Sequence, residues 1–275
     1  MLRLAVLGDP VAHSLSPRFQ QAALDAAGLD GRYEAIRCPA DALEARLAAL
    51  AAAGYRGLNL TLPLKERAWA LLAPRAAAIG DAAARLAAVN TLRLEPDGRW
   101  RLDNTDLEGC RAAAESLLGA PLTGRRVLVL GAGGAGRAAV AACLDGGCDA
   151  VLLWNRSPER AHALQQTLAP DDARLAVHAL VDGRCPGGVD LVIQATRLGL
   201  AADDPLPPLP AAGELPAALD LVTQSTAWQR ACAAAGSRAA DGREMLLAQG
   251  AASFRLWTGR DAPLAAMRTA LFGAP

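Results

Sequence analysis

Short apolar runs give way to helically spaced apolar positions, then to further apolar runs, along most of the chain. Residues 2–7 form an apolar stretch that stops at Gly8-Asp9-Pro10, the pattern of a strand with a turn behind it. Ser16-Pro17 then opens an amphipathic helix, with serine as its cap and proline at the first helical position. Residues 33–37 read as a second strand, 41–53 as a helix closed by Gly54, and 57–62 as a third strand with Leu58, Leu60 and Leu62 on one face. A helical stretch, the turn 88–92, a hairpin around Asp97-Gly98 and the polar run Asp103-Asn104-Thr105-Asp106 follow.

Beyond residue 123 the rhythm becomes more regular. Strands are expected at 127–130, 150–154, 190–195 and 219–222, with a proline-rich loop at 203–216 and helices at 228–235, 244–258 and 264–271. Strands alternating with helices predict an α/β fold. Between the strand 127–130 and an alanine-rich helix lies Gly131-Ala132-Gly133-Gly134-Ala135-Gly136-Arg137. The order strand, glycine turn, helix is that of a dinucleotide-binding unit. Gly131 permits the tight turn, Gly133 lets the backbone approach a pyrophosphate, Gly136 allows helix to pack on strand, and the helix N-terminus faces the anion. The next strand ends in Asn155-Arg156-Ser157-Pro158-Glu159-Arg160. An acidic residue there would bond the ribose hydroxyl of NAD, whereas Asn155, Arg156 and Arg160 offer hydrogen bonds and positive charge to a 2'-phosphate, so NADP is expected.

Composition narrows the partners. The 275 residues carry 28 basic and 28 acidic side chains, a formal net charge of +0, which points to a small-molecule partner and away from nucleic acid. With no apolar run long enough to cross a bilayer and no signal-like start, the expectation is a cytoplasmic protein without membrane association. The six cysteines are scattered, without Cys-x-x-Cys or clustered histidine, so neither metal nor disulfide is expected and buried apolar roles suffice. Of the 28 basic residues 27 are arginine, and only Lys65 is lysine. Arginine holds its proton near neutral pH, while a compact ammonium can be tuned to transfer one. Lys65 is therefore a candidate for proton transfer, and with Asn59 and Thr61 it falls at or past the carboxyl end of the third strand, where open α/β sheets bind ligands. His13 lacks an obvious partner and is read as structural.

Several of these motifs recur together, in order, in one family. Gly8-Asp9-Pro10-Val11-Ala12-His13-Ser14-Leu15-Ser16-Pro17, Asn59-Leu60-Thr61-Leu62-Pro63-Leu64-Lys65, Ala88-Val89-Asn90-Thr91, Asp103-Asn104-Thr105-Asp106, Gly131-Ala132-Gly133-Gly134-Ala135 and Asn155-Arg156-Ser157 resemble the shikimate dehydrogenases over essentially the whole chain. The resemblance implies an N-terminal α/β substrate domain (residues 1–104), a doubly wound Rossmann-type NADP domain (105–240), and C-terminal helices (241–275) returning to the first. It implies a cyclic hydroxy acid substrate, with Ser14 and Ser16 on its carboxylate, Thr61 nearby, Asn90, Asp103 and Lys65 on its ring hydroxyls, and Asn59 and Gln249 in the same pocket. Lys65 and Asp103 are the implied acid–base pair, with Asp103 orienting the ammonium. Gly131, Ala132, Gly133, Gly134, Ala135, Asn155, Arg156, Ser157, Arg160, Leu221 and Gly242 are the implied cofactor contacts, with no metal, in a monomer or homodimer.

The expected reaction is NADP-dependent, reversible reduction of 3-dehydroshikimate to shikimate. Some positions depart from the family pattern. Leu107 and Gln194 stand where it carries Gly and Asn, Thr223 where a tyrosine reaches the substrate, and Glu244 in the Gly-x-Gly-Met segment near the nicotinamide. Quinate or an amino-substituted analogue therefore remain alternative substrates, and a non-catalytic nucleotide-binding regulator is the alternative outside enzymology.

Overall fold

The computed structural model describes residues 1–180, 183–196, 198, 204–210 and 213–273. These form two compact units, residues 1–106 with 247–275, and residues 107–246. The divisions expected from the sequence lie at 104/105 and 240/241.

In the first unit, β1 (Leu2–Gly8), α1 (Ser16–Ala26), β2 (Gly31–Arg37), α2 (Leu43–Ala52), β3 (Tyr55–Leu60), α3 (Leu64–Leu72), β4 (Ala78–Ile79), α4 (Asp81–Leu86), β5 (Thr91–Leu94) and β6 (Trp100–Asp103) succeed one another. They make a sheet of order β2-β1-β3-β5-β6-β4. The strands β2, β1 and β3 are parallel, while β5 runs antiparallel to both β3 and β6. The carboxyl ends of β1, β3 and β6 and the start of β5 therefore share one edge. Leu58, Leu60, Leu64, Val89, Leu92 and Leu102 are buried in one core beneath that edge; a fully buried leucine contributes about 1.5–3 kcal/mol. The third strand stops at Leu60 instead of 62, and Leu62 is 55% exposed, since the chain turns there. Ser16 is the first residue of α1 and Leu15 stands at the cap, with no side-chain cap hydrogen bond.

The helix α5 (Asp106–Leu118) leads into the second unit, which holds β7 (Arg126–Leu130), α6 (Gly134–Asp145), β8 (Ala150–Trp154), α7 (Pro158–Leu168), β9 (Leu175–Val177), β10 (Leu191–Gln194), β11 (Ala217–Asp220), α8 (Ala227–Ala234) and β12 (Ala239–Ala240). Its sheet order is β12-β11-β10-β7-β8-β9, parallel throughout. Counted from β7, that is the doubly wound order 3-2-1-4-5-6, whose strand order reverses beside the first strand. The strands β7 and β10 are apolar over nearly their whole length because helices cover both faces. The strand expected at 219–222 lies two residues earlier, since Val222 N–H turns back to the Asp220 carboxylate. The proline-rich loop at 203–216 includes residues 203, 211 and 212, which lie outside the described ones.

α9 (Arg243–Thr258) and α10 (Leu264–Phe272) complete the chain, and residues from Leu247 onward belong to the first unit. All six cysteines are buried and none is in a disulfide. Burial pushes the Cys185 and Cys232 thiols up to about 12, so they remain protonated apolar packing groups. No described helix is long and apolar enough to cross a membrane.

Candidate active site

Lys65 sits in the first turn of α3, where the chain has just left β3, and Asp106 is the first residue of α5. Lys65 Nζ donates to Asp106 Oδ2 at 2.5 Å, with the two side chains 20% and 7% exposed. The other carboxylate oxygen accepts from Asn90 Nδ2 at 2.8 Å, and the Asp106 N–H donates to Asn104 Oδ1 at 3.0 Å. A helix N-terminus further favours a carboxylate at that position. An ammonium held against a fixed carboxylate, both mostly shielded from water, is an arrangement able to give and take a proton.

Asp103, expected as the partner of Lys65, is engaged elsewhere. It ends β6, and its carboxylate accepts from Arg101 Nε at 2.8 Å, two residues back on the same face of the strand. A Cβ on Gly80 would collide with its Oδ1, so that glycine makes room for it. The chain then leaves the strand, and the carboxylate that reaches Lys65 belongs to Asp106, three residues on.

A continuous set of hydrogen bonds joins this pair to most of the other expected substrate residues. The Ser16 hydroxyl bonds the Tyr33 phenol, and the phenol donates to Asn59 Oδ1 at 2.8 Å. Burial raises the Tyr33 pKa well above the ordinary phenol value, so it remains a neutral donor. Asn59 Nδ2 lies within hydrogen-bonding distance of the Asn90 carbonyl (3.1 Å), Thr91 Oγ1 (3.0 Å) and Ser253 Oγ (3.0 Å). Asn90 and Thr105 are doubly joined: Asn90 Nδ2 donates to Thr105 Oγ1 at 3.0 Å and Thr105 N–H donates to Asn90 Oδ1 at 2.8 Å. Thr105 Oγ1 in turn donates to Gln249 Oε1 at 3.3 Å. Such a closed network is costly to leave half-satisfied, so each member restrains the next.

Ser14 attaches through the Ser16 N–H, which donates to its Oγ at 3.3 Å. Thr61 is placed by its backbone, its N–H on the Leu7 carbonyl and its carbonyl receiving Leu64 N–H, both at 2.8 Å. Both residues are partly buried on segments that follow the carboxyl ends of β1 and β3. His13 is exposed. Sequence reasoning missed Tyr33, Thr91, Thr105, Asp106 and Ser253 as members of the site. The threonines and Asp106 stood inside quoted motifs, and Ser253 is one helical turn from Gln249, a spacing that puts both on one face.

The second unit carries the candidate nucleotide site. Gly131 has φ of +115°, a conformation that disfavours side chains, and its N–H donates to the Trp154 carbonyl at 2.7 Å. A Cβ on Gly136 would collide with the Gly131 carbonyl, which is the close helix–strand approach expected of that glycine. Cβ atoms on Gly133 or Gly134 would meet nothing within 4 Å, so the mouth of the turn is open, and α6 begins there without a side-chain cap. Ala132 N–H donates to Asn155 Oδ1 at 3.1 Å, and Ala135 follows in the first turn of α6. Arg156 and Arg160 are exposed and Ser157 is partly buried at the start of α7. A Cβ on Gly242 would collide with the Leu221 carbonyl, and Gly242 N–H donates to Val222 O at 2.8 Å. An open backbone cradle with two arginines one strand over fits a dinucleotide bearing an extra phosphate.

Of the departures, Gln194 is buried and turns its Oε1 to Thr196 N–H at 2.6 Å, shaping the loop after β10. Thr223 is partly buried beyond β11, and Glu244 lies in the first turn of α9. Among the described residues, no group of three or more His, Cys, Asp or Glu could hold a metal ion.

A family model for the shikimate dehydrogenase substrate-binding domain matches residues 6–92, one for shikimate/quinate 5-dehydrogenase matches 112–198, and one for the shikimate 5'-dehydrogenase C-terminal domain matches 242–272. A shikimate dehydrogenase (NADP(+)) of Thermus thermophilus is 45% identical over 263 residues, covering 94% of this chain and 93% of that one. The chain belongs to the shikimate dehydrogenase family. The shikimate dehydrogenase (NADP(+)) of Xanthomonas euvesicatoria is 42% identical over 264 residues, covering 94% of this chain and 90% of its own. Among solved structures, the shikimate 5-dehydrogenase of Thermus thermophilus in complex with NADP(H) and shikimate matches with a TM-score of 0.84 at 42% identity, covering 98% of each chain. The two-unit α/β architecture and the parallel dinucleotide sheet are thus those of this family of shikimate dehydrogenases.

Proposed function

We propose that this chain is an oxidoreductase catalysing the NADP-dependent, reversible reduction of 3-dehydroshikimate to shikimate. The observation that carries the reading is the Lys65–Asp106 pair, fixed by Asn90 inside a buried polar network. Bound NADPH supplies the hydride. As negative charge develops on the ketone oxygen, the Lys65 ammonium stabilises it and donates the proton, while Asp106 holds the ammonium in place. In the oxidation direction Lys65 takes the hydroxyl proton, and Asp106 stabilises the ammonium formed. Ser14 and Ser16 receive the substrate carboxylate with Thr61 beside them, since a small anion needs hydroxyl and amide donors more than a basic patch. Gln249 and Asp106 meet the ring hydroxyls; Asn90 fixes Asp106 beside them, and Asn59 fixes the network behind. In the second unit, the turn from Gly131 to Ala135 holds the pyrophosphate, with Leu221 and Gly242 as further contacts. Asn155, Arg156, Ser157 and Arg160 hold the adenosine ribose and its 2'-phosphate.

The test is NADP+ reduction by the purified chain with shikimate and with quinate, alongside the Lys65→Arg variant. Turnover with shikimate is expected, and Lys65→Arg lowers kcat by about a hundredfold or more with NADP+ affinity unchanged, as loss of general acid–base catalysis requires. Near-normal turnover by that variant removes the assigned role. Faster turnover of quinate moves the substrate, and tight NADP+ binding without turnover of either makes the chain a nucleotide-binding regulator.

A further inference from the structure

Gly8 is the buried last residue of β1, and its backbone lies outside the left-handed region that glycine alone favours. Conformation would therefore admit a side chain there, but space does not. A Cβ on Gly8 would collide with Thr61 Cγ2 and would stand 3.1 Å from the Leu62 carbonyl oxygen. The main chain around this point is tied on both sides. Gly8 O accepts from Cys38 N–H at 3.0 Å, Leu7 O accepts from Thr61 N–H at 2.8 Å, and Asp9 N–H donates to Leu62 O at 3.0 Å. Drawing the two segments apart would break these bonds, so a side chain at position 8 has to displace the Thr61 methyl group.

That methyl group decides where the hydroxyl of the same residue stands. A threonine Cβ is chiral and carries one methyl and one hydroxyl, and its χ1 is restricted to a few staggered wells. Seating the methyl against Gly8 therefore selects one rotamer and leaves the hydroxyl a single direction. The seat also lies where two ligand-carrying segments are joined, one running on from Gly8 to Ser14 and Ser16, the other from Thr61 to Lys65. We infer that Gly8 is a positioning residue for substrate recognition: by leaving its side-chain space to the Thr61 methyl, it fixes the rotamer in which Thr61 presents its hydroxyl to the substrate carboxylate. The inference rests on the shikimate dehydrogenase reading, and Gly8 acts only through Thr61.

The experiment is steady-state kinetics on the full chain with Gly8→Ala, Thr61→Ser and the double variant, with thermal melting of each. Gly8→Ala is expected to raise KM for shikimate about tenfold, the scale of one misplaced hydrogen bond to a charged group, with kcat changed less than about threefold and KM for NADP+ unchanged. Serine at position 61 has no methyl to collide, so the double variant is expected to lie within about twofold of the Thr61→Ser value, a non-additivity that marks two residues in contact. An unchanged shikimate KM in folded Gly8→Ala overturns the inference. So does a raised KM that Thr61→Ser fails to relieve, which would place the conflict at the Leu62 carbonyl, or a parallel loss in kcat and both KM values that tracks a lowered melting temperature. If Gly8→Ala alone does not fold, the double variant carries the test: a shikimate KM near that of Thr61→Ser supports the inference and a raised one overturns it. Failure of both to fold makes Gly8 a residue of the fold and overturns it too. If the wild-type chain oxidises no shikimate, the functional reading fails and this inference falls with it; if the wild type turns over and Gly8→Ala matches it, only the inference fails.

Discussion

Residues 1–106 with 247–275 carry their polar chemistry in side chains, whereas residues 107–246 carry theirs mainly in the backbone. In the first unit Asn59, Asn90, Thr91, Thr105, Asp106, Gln249 and Ser253 are all buried and mutually hydrogen-bonded. In the second the candidate anion site is a glycine turn in which Gly131 and Gly136 leave no room for a side chain, with charge added by exposed Arg156 and Arg160. The first arrangement is sensitive to single atoms, because removing one partner leaves another buried group unsatisfied. The second tolerates side-chain drift around it but not the addition of a methyl group at Gly136.

The sharpest way to break this contrast lies in the first unit. Asp106→Asn is expected to lower kcat by about a hundredfold or more, whereas Asp103→Asn, which loosens only the Arg101 pairing, changes kcat by less than about threefold. Steady-state rates for the two variants decide between the carboxylates, and equal losses would return Asp103 to the reacting centre. In the second unit the effect is smaller and confined to the cofactor. Arg156→Ala with Arg160→Ala should raise KM for NADP+ about tenfold or more while leaving KM for NAD+ unchanged, since only the 2'-phosphate is lost as a partner. Equal shifts for both cofactors would mean that the arginines serve the turn and not the phosphate.

The smallest expected effect concerns a buried carboxylate of the second unit. Burial raises the Asp220 pKa, with Thr226 Oγ1 and Val222 N–H partly offsetting it. A carboxyl raised on folding binds its proton more tightly in the native state. Its ionisation therefore costs stability above the folded value, and that cost is relieved as pH falls toward the unfolded value. The stability of wild type relative to Asp220→Asn should then increase between pH 7 and pH 4.5, read from urea unfolding at each pH. A gap that narrows on acidification contradicts the raised pKa.

Legibility followed the same division. The glycine turn, the strand before it and the Asn155-Arg156-Ser157 segment after the next strand are contiguous, so local pattern was enough to place them. The network is assembled from residues 16, 33, 59, 90, 91, 105, 106, 249 and 253, and nothing along the chain connects them. Lys65 stands out by residue type alone, but the carboxylate it contacts lies three residues beyond the expected Asp103, since Asp103 and Asp106 bracket the point where strand becomes helix. Pattern alone does not say which of two acidic side chains faces the lysine across that change of geometry. In sequence Tyr33 is only part of a strand; its phenol links to Asn59 because β2 lies two strands from β3 in the sheet.

One consequence of the arginine-for-lysine bias is practical. The chain has a single ε-amine, so apart from the α-amino group of Met1 a reagent that acylates or reductively alkylates amines has one internal address. That address is the partly shielded nitrogen on Asp106. Mass spectrometry of the labelled chain would therefore read the occupancy of this site directly, without the background of surface lysines that blurs such footprinting in most proteins.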